Sequence, residues 1–350
     1  MSIIINILLF IVILGSIVLV HEFGHFMLAK MCGVYVYEFA LGMGPKLFSK
    51  QGKETEYTIR AIPIGGFCQM AGEDLDSDKK KKIPKERQLQ SKSAFQRFLI
   101  MFFGPANNFI FAILILFFIA LIWGGTSMDP KVDKVDKNYP AITAGIEKGD
   151  TILKVDNHKV STNDDLSLYL AVANPSTKTK IQVKKDNGKI KTYKVKPVKV
   201  KVAGETTYKY GISIEQKKKY GFINSVKYTF KKTGSIFKQM AITVGYLFTG
   251  GIKLTQLSGP VGIYNVVGAS SKTGVVNILY LVAFLSINVG FINLIPLPAF
   301  DGGHILFIII EKIKGSPVKP ETENMIHTIG LFLLMLLMIF ITFNDVLKLF

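Results

Sequence analysis

Residues 21–25 read His-Glu-Phe-Gly-His, and they close a long apolar run. From Ile3 to Val20 nothing is charged, and Asn6 and Ser16 are the only polar side chains. A helix turns once every ~3.6 residues, so His21 and His25 project from one face, a turn apart. Two imidazoles so placed can share one Zn²⁺, and Glu22 between them can act as general base on a water molecule. The setting is unlike that of a soluble zinc hydrolase, because this stretch is long enough to cross a bilayer.

A hydrolytic zinc needs a third protein ligand and an open position. The candidate is Asp301, in Asn293-Leu-Ile-Pro-Leu-Pro-Ala-Phe-Asp-Gly-Gly-His. A carboxylate inside an apolar segment needs a partner, and a metal ion provides one. Pro296 and Pro298 interrupt the helix, and irregular backbone at membrane depth belongs where it lines a protein-enclosed cavity. Gly302 and Gly303 permit close backbone approach around the ligand. His304 competes for the ligand role, with capping or orienting as its alternative. Asn288 and Asn293 either bond neighbouring helices or engage substrate backbone exposed by local unwinding.

These residues must be carried by membrane-spanning elements. The chain has 350 residues, 49% of them hydrophobic, and a formal net charge of +18. Its lysines are scattered among apolar spans without a basic aromatic platform, which argues against a nucleic-acid partner and for a membrane protein with basic loops. Cys32 and Cys68 are too few for a disulfide framework and read as reduced structural thiols. The first span lacks a basic n-region and runs straight into the metal motif, so it is not expected to be a cleaved signal peptide.

Four segments qualify as spans: Ile3–Ala29, Phe98–Trp123 with a break at Gly104-Pro105, Val275–Ile310 interrupted by the two prolines, and Ile326–Phe343. A fifth stretch, Phe222–Phe248, carries Lys227, Lys231, Lys232 and Lys238, a pattern for an amphipathic helix on the membrane surface. Lys30, Lys46, Lys92, Arg97, Lys312, Lys314 and Lys319 flank the spans on one side, which the positive-inside rule makes cytoplasmic. Both termini then face outward, and the metal motif lies toward the cytoplasmic side.

Val34–Gln69 is rich in glycine and β-formers, and Pro63 marks its last strand as an edge strand with backbone groups open to another chain. Residues 73–92 read as a charged, solvated linker. Residues 129–215 read as a small β-rich domain, with Asp186-Asn-Gly as a hairpin turn. Its segment Ala144-Gly-Ile-Glu-Lys-Gly-Asp-Thr-Ile-Leu-Lys-Val-Asp resembles the bacterial PDZ signature. That resemblance implies a peptide groove at Ala144, Gly145 and Ile146, used by strand addition. A plug or spacer without a ligand is the alternative.

With its metal motif and its intramembrane Asp-Gly motif, the chain resembles the site-2 protease family of intramembrane zinc metalloproteases. It is most similar to the bacterial PDZ-containing branch that cleaves anti-sigma factors, the regulator-of-sigma-E protease type. Supporting motifs are Gly42-Met-Gly-Pro, Pro63-Ile-Gly-Gly-Phe, Gly104-Pro-Ala-Asn-Asn-Phe, Ser258-Gly-Pro-Val-Gly-Ile, the run from Ser286 to Pro298, and Phe343-Asn-Asp. The resemblance implies His21, His25 and Asp301 as Zn²⁺ ligands and Glu22 as general base. It implies Asn288 and Asn293 as substrate contacts, with Ile64, Gly65, Gly66 and Phe67 clamping substrate as an added strand. Phe300 stands where the family usually has Leu, which leaves the chemistry intact. One PDZ domain stands in place of the tandem pair of some relatives, which affects how substrates are gated.

The resulting expectation is a polytopic α-helical membrane protein of about four transmembrane helices, with a membrane-associated β-rich loop and one extracytoplasmic PDZ domain. The membrane core would comprise residues 1–127 and 273–350, the PDZ domain 128–216, and amphipathic linker helices 217–272. Its expected activity is zinc-dependent cleavage within transmembrane segments of single-pass membrane proteins, after a first cut outside the membrane. Anti-sigma factors and remnant signal peptides are the expected substrates, the lipid bilayer is the other partner, and no nucleic acid is involved. The rival class is a zinc transporter or a non-catalytic PDZ scaffold. Transport would call for polar residues along the second and fourth spans, which are nearly bare of them, and a scaffold would not require Glu22.

Overall fold

The computed structural model describes residues 3–73, 83–202, 205–251, 254 and 257–347. Its helices in chain order are α1 (Ile3–Met31), α2 (Ala94–Trp123), α3 (Pro140–Ala144), α4 (Asn163–Val172), α5 (Phe222–Phe248), α6 (Pro260–Lys272), α7 (Val275–Asn293), α8 (Asp301–Lys314) and α9 (Pro320–Leu347). The strands β1 (Val36–Gln51) and β2 (Glu56–Met70) lie between α1 and α2. Two compact units emerge, one from Met1–Ile115 with Leu254–Phe350, the other from Leu116–Lys253. Among the described residues, four helices have the length and composition to cross a membrane: Ile3–Met31, Ala94–Trp123, Val275–Asn293 and Glu321–Leu347.

In the first unit, α1 buries one stripe: Ile13, Ile17, His21, Gly24, His25, Leu28 and Ala29. The spacing of three and four residues is that of a single helix face. Ile13 and Ile17 pack with Val267 of α6 and with Leu281 and Val282 of α7. Leu28 and Ala29 join Val36, Cys68, Met70, Ile100 and Met101 in a second cluster. The two histidines sit on the same stripe between these apolar clusters, which fixes the helix both above and below them.

Two expectations about the spans are corrected. The second span is one helix through Pro105, without the break expected at Gly104-Pro105. A helical proline forfeits a backbone hydrogen bond, but membrane helices tolerate it where neighbouring helices pack closely. The third segment is two helices, because α7 ends at Asn293 and α8 starts afresh at Asp301 after the proline-rich turn. Only α7 of that pair is long and apolar enough to span, among the described residues.

The ladder between β1 and β2 is folded on itself. Residues 38–41 face 66–69 on one side, while the same residues also face 56–59. The segment Gly66–Met70 is therefore an outer strand, with no further strand beside it among the described residues. Ile62 pairs with Met43 and Gly66 with Leu41, so residues 63–65 bulge out of the ladder. Pro63 has no N–H to donate, and Gly65 takes the left-handed φ of 82° that such a bulge requires. Lys30 (2.8 Å) and Arg87 (2.7 Å) both bond Glu54 and hold its carboxyl down at about 2. Residues expected to form a solvated linker are partly ordered: Lys85–Arg87 and Leu89–Ser91 are 3₁₀ turns, and Leu89 is buried. The acidic and lysine-rich part, 74–82, lies outside the described residues.

The second unit centres on a four-stranded sheet in the order His158–Lys159, Thr151–Val155, Thr179–Lys184, Ile190–Val195. The turn expected at Asp186-Asn-Gly joins its last two strands, closed by Lys185 N–H to Lys189 O at 2.9 Å. Alternate residues such as Ile152, Ile181 and Val183 are fully buried against Leu166 and Tyr169 of α4. Helix α4 starts on a capping box between Thr162 and Asp165. Three of the four lysines of α5 form ion pairs within this unit: Lys231 with Asp129 (2.8 Å), Lys232 with Asp164 (2.6 Å) and Lys238 with Asp165 (2.9 Å). Phe222, Ile223, Phe230 and Phe237 of α5 are exposed, as are Lys227 and Lys231.

Candidate metal centre

His21 and His25 come from the buried stripe of α1, and Asp301 is the first residue of α8. Their donor atoms form a nearly equilateral triangle. His21 Nε2 is 3.2 Å from His25 Nε2 and 3.1 Å from Asp301 Oδ2, and His25 Nε2 is 3.3 Å from Asp301 Oδ1. His25 Nδ1 donates to the Ile100 carbonyl at 2.8 Å, so its Nε2 presents a lone pair to the other two. Asp301 Oδ2 is buried with no well-directed donor among the described residues. Three electron-pair donors crowded together out of solvent call for a cation. Ligands ~2.1 Å from a tetrahedral zinc sit about 3.4 Å apart, so this triangle has the right size for one.

Close packing of α1 on α2 produces the site. A Cβ on Gly24 would lie 2.1 Å from Phe103 O, and one on Gly104 would lie 2.1 Å from His25 Nε2. Two successive amides of α2 then reach α1: Asn107 Nδ2 donates to Val20 O at 2.8 Å, and Asn108 lies 3.3 Å from His21 Nδ1. Asn108 Oδ1 has no partner among the described residues. The O and N of an amide are assigned rather than seen; with the amide turned over, Oδ1 accepts from His21 Nδ1–H and leaves Nε2 free for a metal. Ser286 Oγ donates to the Asn108 carbonyl at 2.9 Å. The sequence marks these asparagines only as part of a supporting motif; paired amides in an apolar span are the signal for a role at the site.

Asp301 is set by the turn before it. A Cβ on Gly302 would fall 2.3 Å from Ile295 O, and one on Gly303 would fall 2.6 Å from Leu297 O. Those glycines let the proline-rich turn fold back over the first turn of α8. The carboxylate also sits where the helix dipole favours negative charge.

A cavity of about 330 Å³ opens onto the triangle. Glu22 lines it together with Cys68 of the outer strand. Gly65, Gly66 and Phe67 form part of the wall, and Gly66 is placed so that a Cβ would come 3.4 Å from Glu22 Cγ. Ile64 is on the same strand. Asn293 lines the cavity, whereas Asn288 does not; its Oδ1 is buried without a partner among the described residues. Helical geometry explains the split, since Val289 and Asn293 share a face and Asn288 is turned about 100° from Val289. Glu73, expected to be solvated, is also on the wall, and burial pushes its carboxyl above the usual range against the pull of His304 and His25.

His304 stands apart from the triangle. Its Nδ1 is 3.1 Å from Glu323 Oε1, and its ring stacks on His327 at 3.8 Å between centroids. In the second unit, the three residues expected to line a groove are placed differently from one another. Ile146 is fully buried in the sheet's core, so it cannot face a ligand there. Ala144 packs against the same core, and Gly145 caps α3 with a φ of 95°. The expectation fails for Ile146 because its side chain fills the core.

Comparison with known proteins adds to this geometry. Residues 9–337 match peptidase family M50. The chain is 34% identical over 420 residues to the zinc metalloprotease RasP of Bacillus licheniformis, covering 99% of both chains. It is 33% identical over 421 residues to the regulator of sigma-W protease RasP of Bacillus subtilis, again covering 99% of both.

Proposed function

The chain belongs to peptidase family M50, the site-2 protease family, and is a zinc metalloprotease; from that premise we propose that it cuts peptide bonds inside transmembrane segments of single-pass membrane proteins. The observation that carries the reading is the triangle of His21, His25 and Asp301, 3.1–3.3 Å on a side, on a helix with the length and composition of a membrane span. His21, His25 and Asp301 would hold the zinc, which supplies a Lewis acid for the scissile carbonyl when bound. Glu22 takes a proton from the attacking water and delivers it to the leaving nitrogen. The outer strand that carries Cys68 walls the same cavity as Glu22.

A peptide bond in a membrane helix is shielded by its own hydrogen bonds, and each unpaired backbone group in lipid costs several kcal/mol. The outer strand Gly66–Met70 answers that cost by pairing with the unwound substrate, in the manner of an added strand. Its location on the cavity wall supports this role, and the Asn293 amide is placed to bond a further substrate group. Substrates are anti-sigma factors or remnant signal peptides already cut on their outer side; similarity to a relative named for sigma-W regulation favours the former.

In this reading both termini face outward and the catalytic cavity opens toward the cytoplasm, as the basic flanks of the spans support. The domain at 128–216 is an extracytoplasmic PDZ domain, supported by its antiparallel sheet packed on α4. Co-expression of wild type and Glu22→Gln with candidate single-pass proteins tests the whole assignment. The variant is expected to retain zinc and to accumulate a substrate whose mass shows only the outer cut. Continued cleavage by a zinc-loaded Glu22→Gln protein overturns it.

A further inference from the structure

The carboxylate at 301 is preceded by a turn whose Ile295, Leu297 and Phe300 amides bond within it or to the end of α7, at 3.0, 2.7 and 3.3 Å, whereas its Ala299 amide bonds outside it. Residues 294–300 lie between α7 and α8, and Pro296 and Pro298 donate no backbone hydrogen bonds. Ala299 adopts a φ of 78°, a left-handed conformation that a residue with a Cβ rarely takes and that needs outside support. That support comes from α9. His327 Nδ1 accepts a hydrogen bond from the Ala299 N–H at 3.2 Å, two residues before Asp301. One turn further along α9, Gly330 admits Pro298 so closely that a Cβ there would lie 2.2 Å from Pro298 Cβ. One turn before, Glu323 bonds His304 of α8 at 3.1 Å. Glu323, His327 and Gly330 are spaced four and three residues apart and so form a single stripe facing the turn and α8.

His304, Glu323 and His327 also have the composition of a second metal site, with donor atoms within 4.8 Å of one another. Two features argue for a latch instead. The His304 and His327 rings are stacked at 12° between planes, so their in-plane lone pairs run side by side and do not converge on one point. His327 Nδ1 is already engaged by the Ala299 N–H, which leaves the proton of the neutral ring on Nε2.

We propose that His327 is a positioning residue for the metal centre: its Nδ1 holds the Ala299 amide and thereby the strained turn that presents Asp301. The stacked His304 ring keeps the imidazole edge-on to that amide, and Gly330 gives the turn its seat against α9. This rests on the assignment of Asp301 as a metal ligand. Groups that orient a ligand typically change metal affinity by about 10- to 100-fold when removed.

The test measures zinc release from the purified full-length protein to a chromogenic chelator, comparing wild type with Asp301→Ala, His327→Ala, His327→Phe and His327→Asn. Asn places Oδ1 near the position of Nδ1 and can accept from Ala299, whereas Phe keeps the stack but accepts nothing. Expected is release about tenfold faster in the Ala and Phe variants, near-wild-type release in the Asn variant, and loss of bound zinc in Asp301→Ala. Wild-type release from His327→Phe, or equal acceleration in Phe and Asn, overturns the role of the hydrogen bond. Wild-type retention by Asp301→Ala overturns the ligand assignment itself, and that outcome is separable because it involves no change at His327.

Discussion

The closest approach in the metal centre offers its sharpest test. Gly104 has no side chain, and an added Cβ would lie 2.1 Å from His25 Nε2, 2.4 Å from Cε1 and 2.8 Å from Cδ2. Nonbonded atoms settle near 3.5 Å, so Gly104→Ala requires the ring to retreat by about 1.4 Å or α1 and α2 to part by a similar amount. Gly24 packs just as closely on Phe103 at the same crossing, so the two backbones are already in contact there and the ring is expected to yield. Zinc ligands keep their distances to within about 0.2 Å, so this shift removes His25 from the centre. Misplacement on the scale of 1 Å costs activity on the order of 100-fold, and loss of one ligand of three adds to that. Overpacking itself would destabilise the fold by about 1–3 kcal/mol. Gly15→Ala, on α1 with nothing within 4 Å of its added Cβ, is the control and is expected to behave as wild type. Zinc content of purified protein and cleavage of a co-expressed membrane substrate are the measurements. Full zinc and wild-type cleavage in Gly104→Ala would refute the geometry argued for His25.

Further expectations concern the partners of the same site. Asn108→Leu is expected to lower zinc affinity by about 10- to 100-fold through loss of the His21 contact, measured by competition with a chelator; unchanged affinity would make the amide a packing group only. Stripping the metal with a chelator should abolish cleavage and stoichiometric zinc should restore it, so activity that survives in metal-free protein contradicts the mechanism. Deleting 128–216 is expected to permit cleavage of substrates that keep their outer domain. A deletion that lowers cleavage of trimmed and untrimmed substrates alike refutes a filtering role for that domain.

Much of this molecule was legible in the order of its residues, for a local reason. Helical spacing is a property of neighbours in the chain, so His-Glu-Phe-Gly-His already put two imidazoles and a carboxylate on one helix, and long apolar runs already marked the helices able to span, although the third run proved to be two helices. Pro63 likewise marked an outer strand, since a missing N–H is local chemistry. What depended on packing was not legible. Nothing near residue 104 shows that its missing Cβ makes room for an imidazole seventy-nine positions earlier in the chain. Asn288 and Asn293 looked alike until the rotation of α7 turned only the second toward the cavity. Ile146 matched a groove motif, yet the sheet's core claimed its side chain. Glu73 passed for part of a solvated run until the cavity wall closed around it. Residue types and their spacing determined which chemistry this protein can attempt. The tertiary structure decided which donors meet, because distances between remote residues are set by how helices pack, and here that is set largely by where side chains are absent.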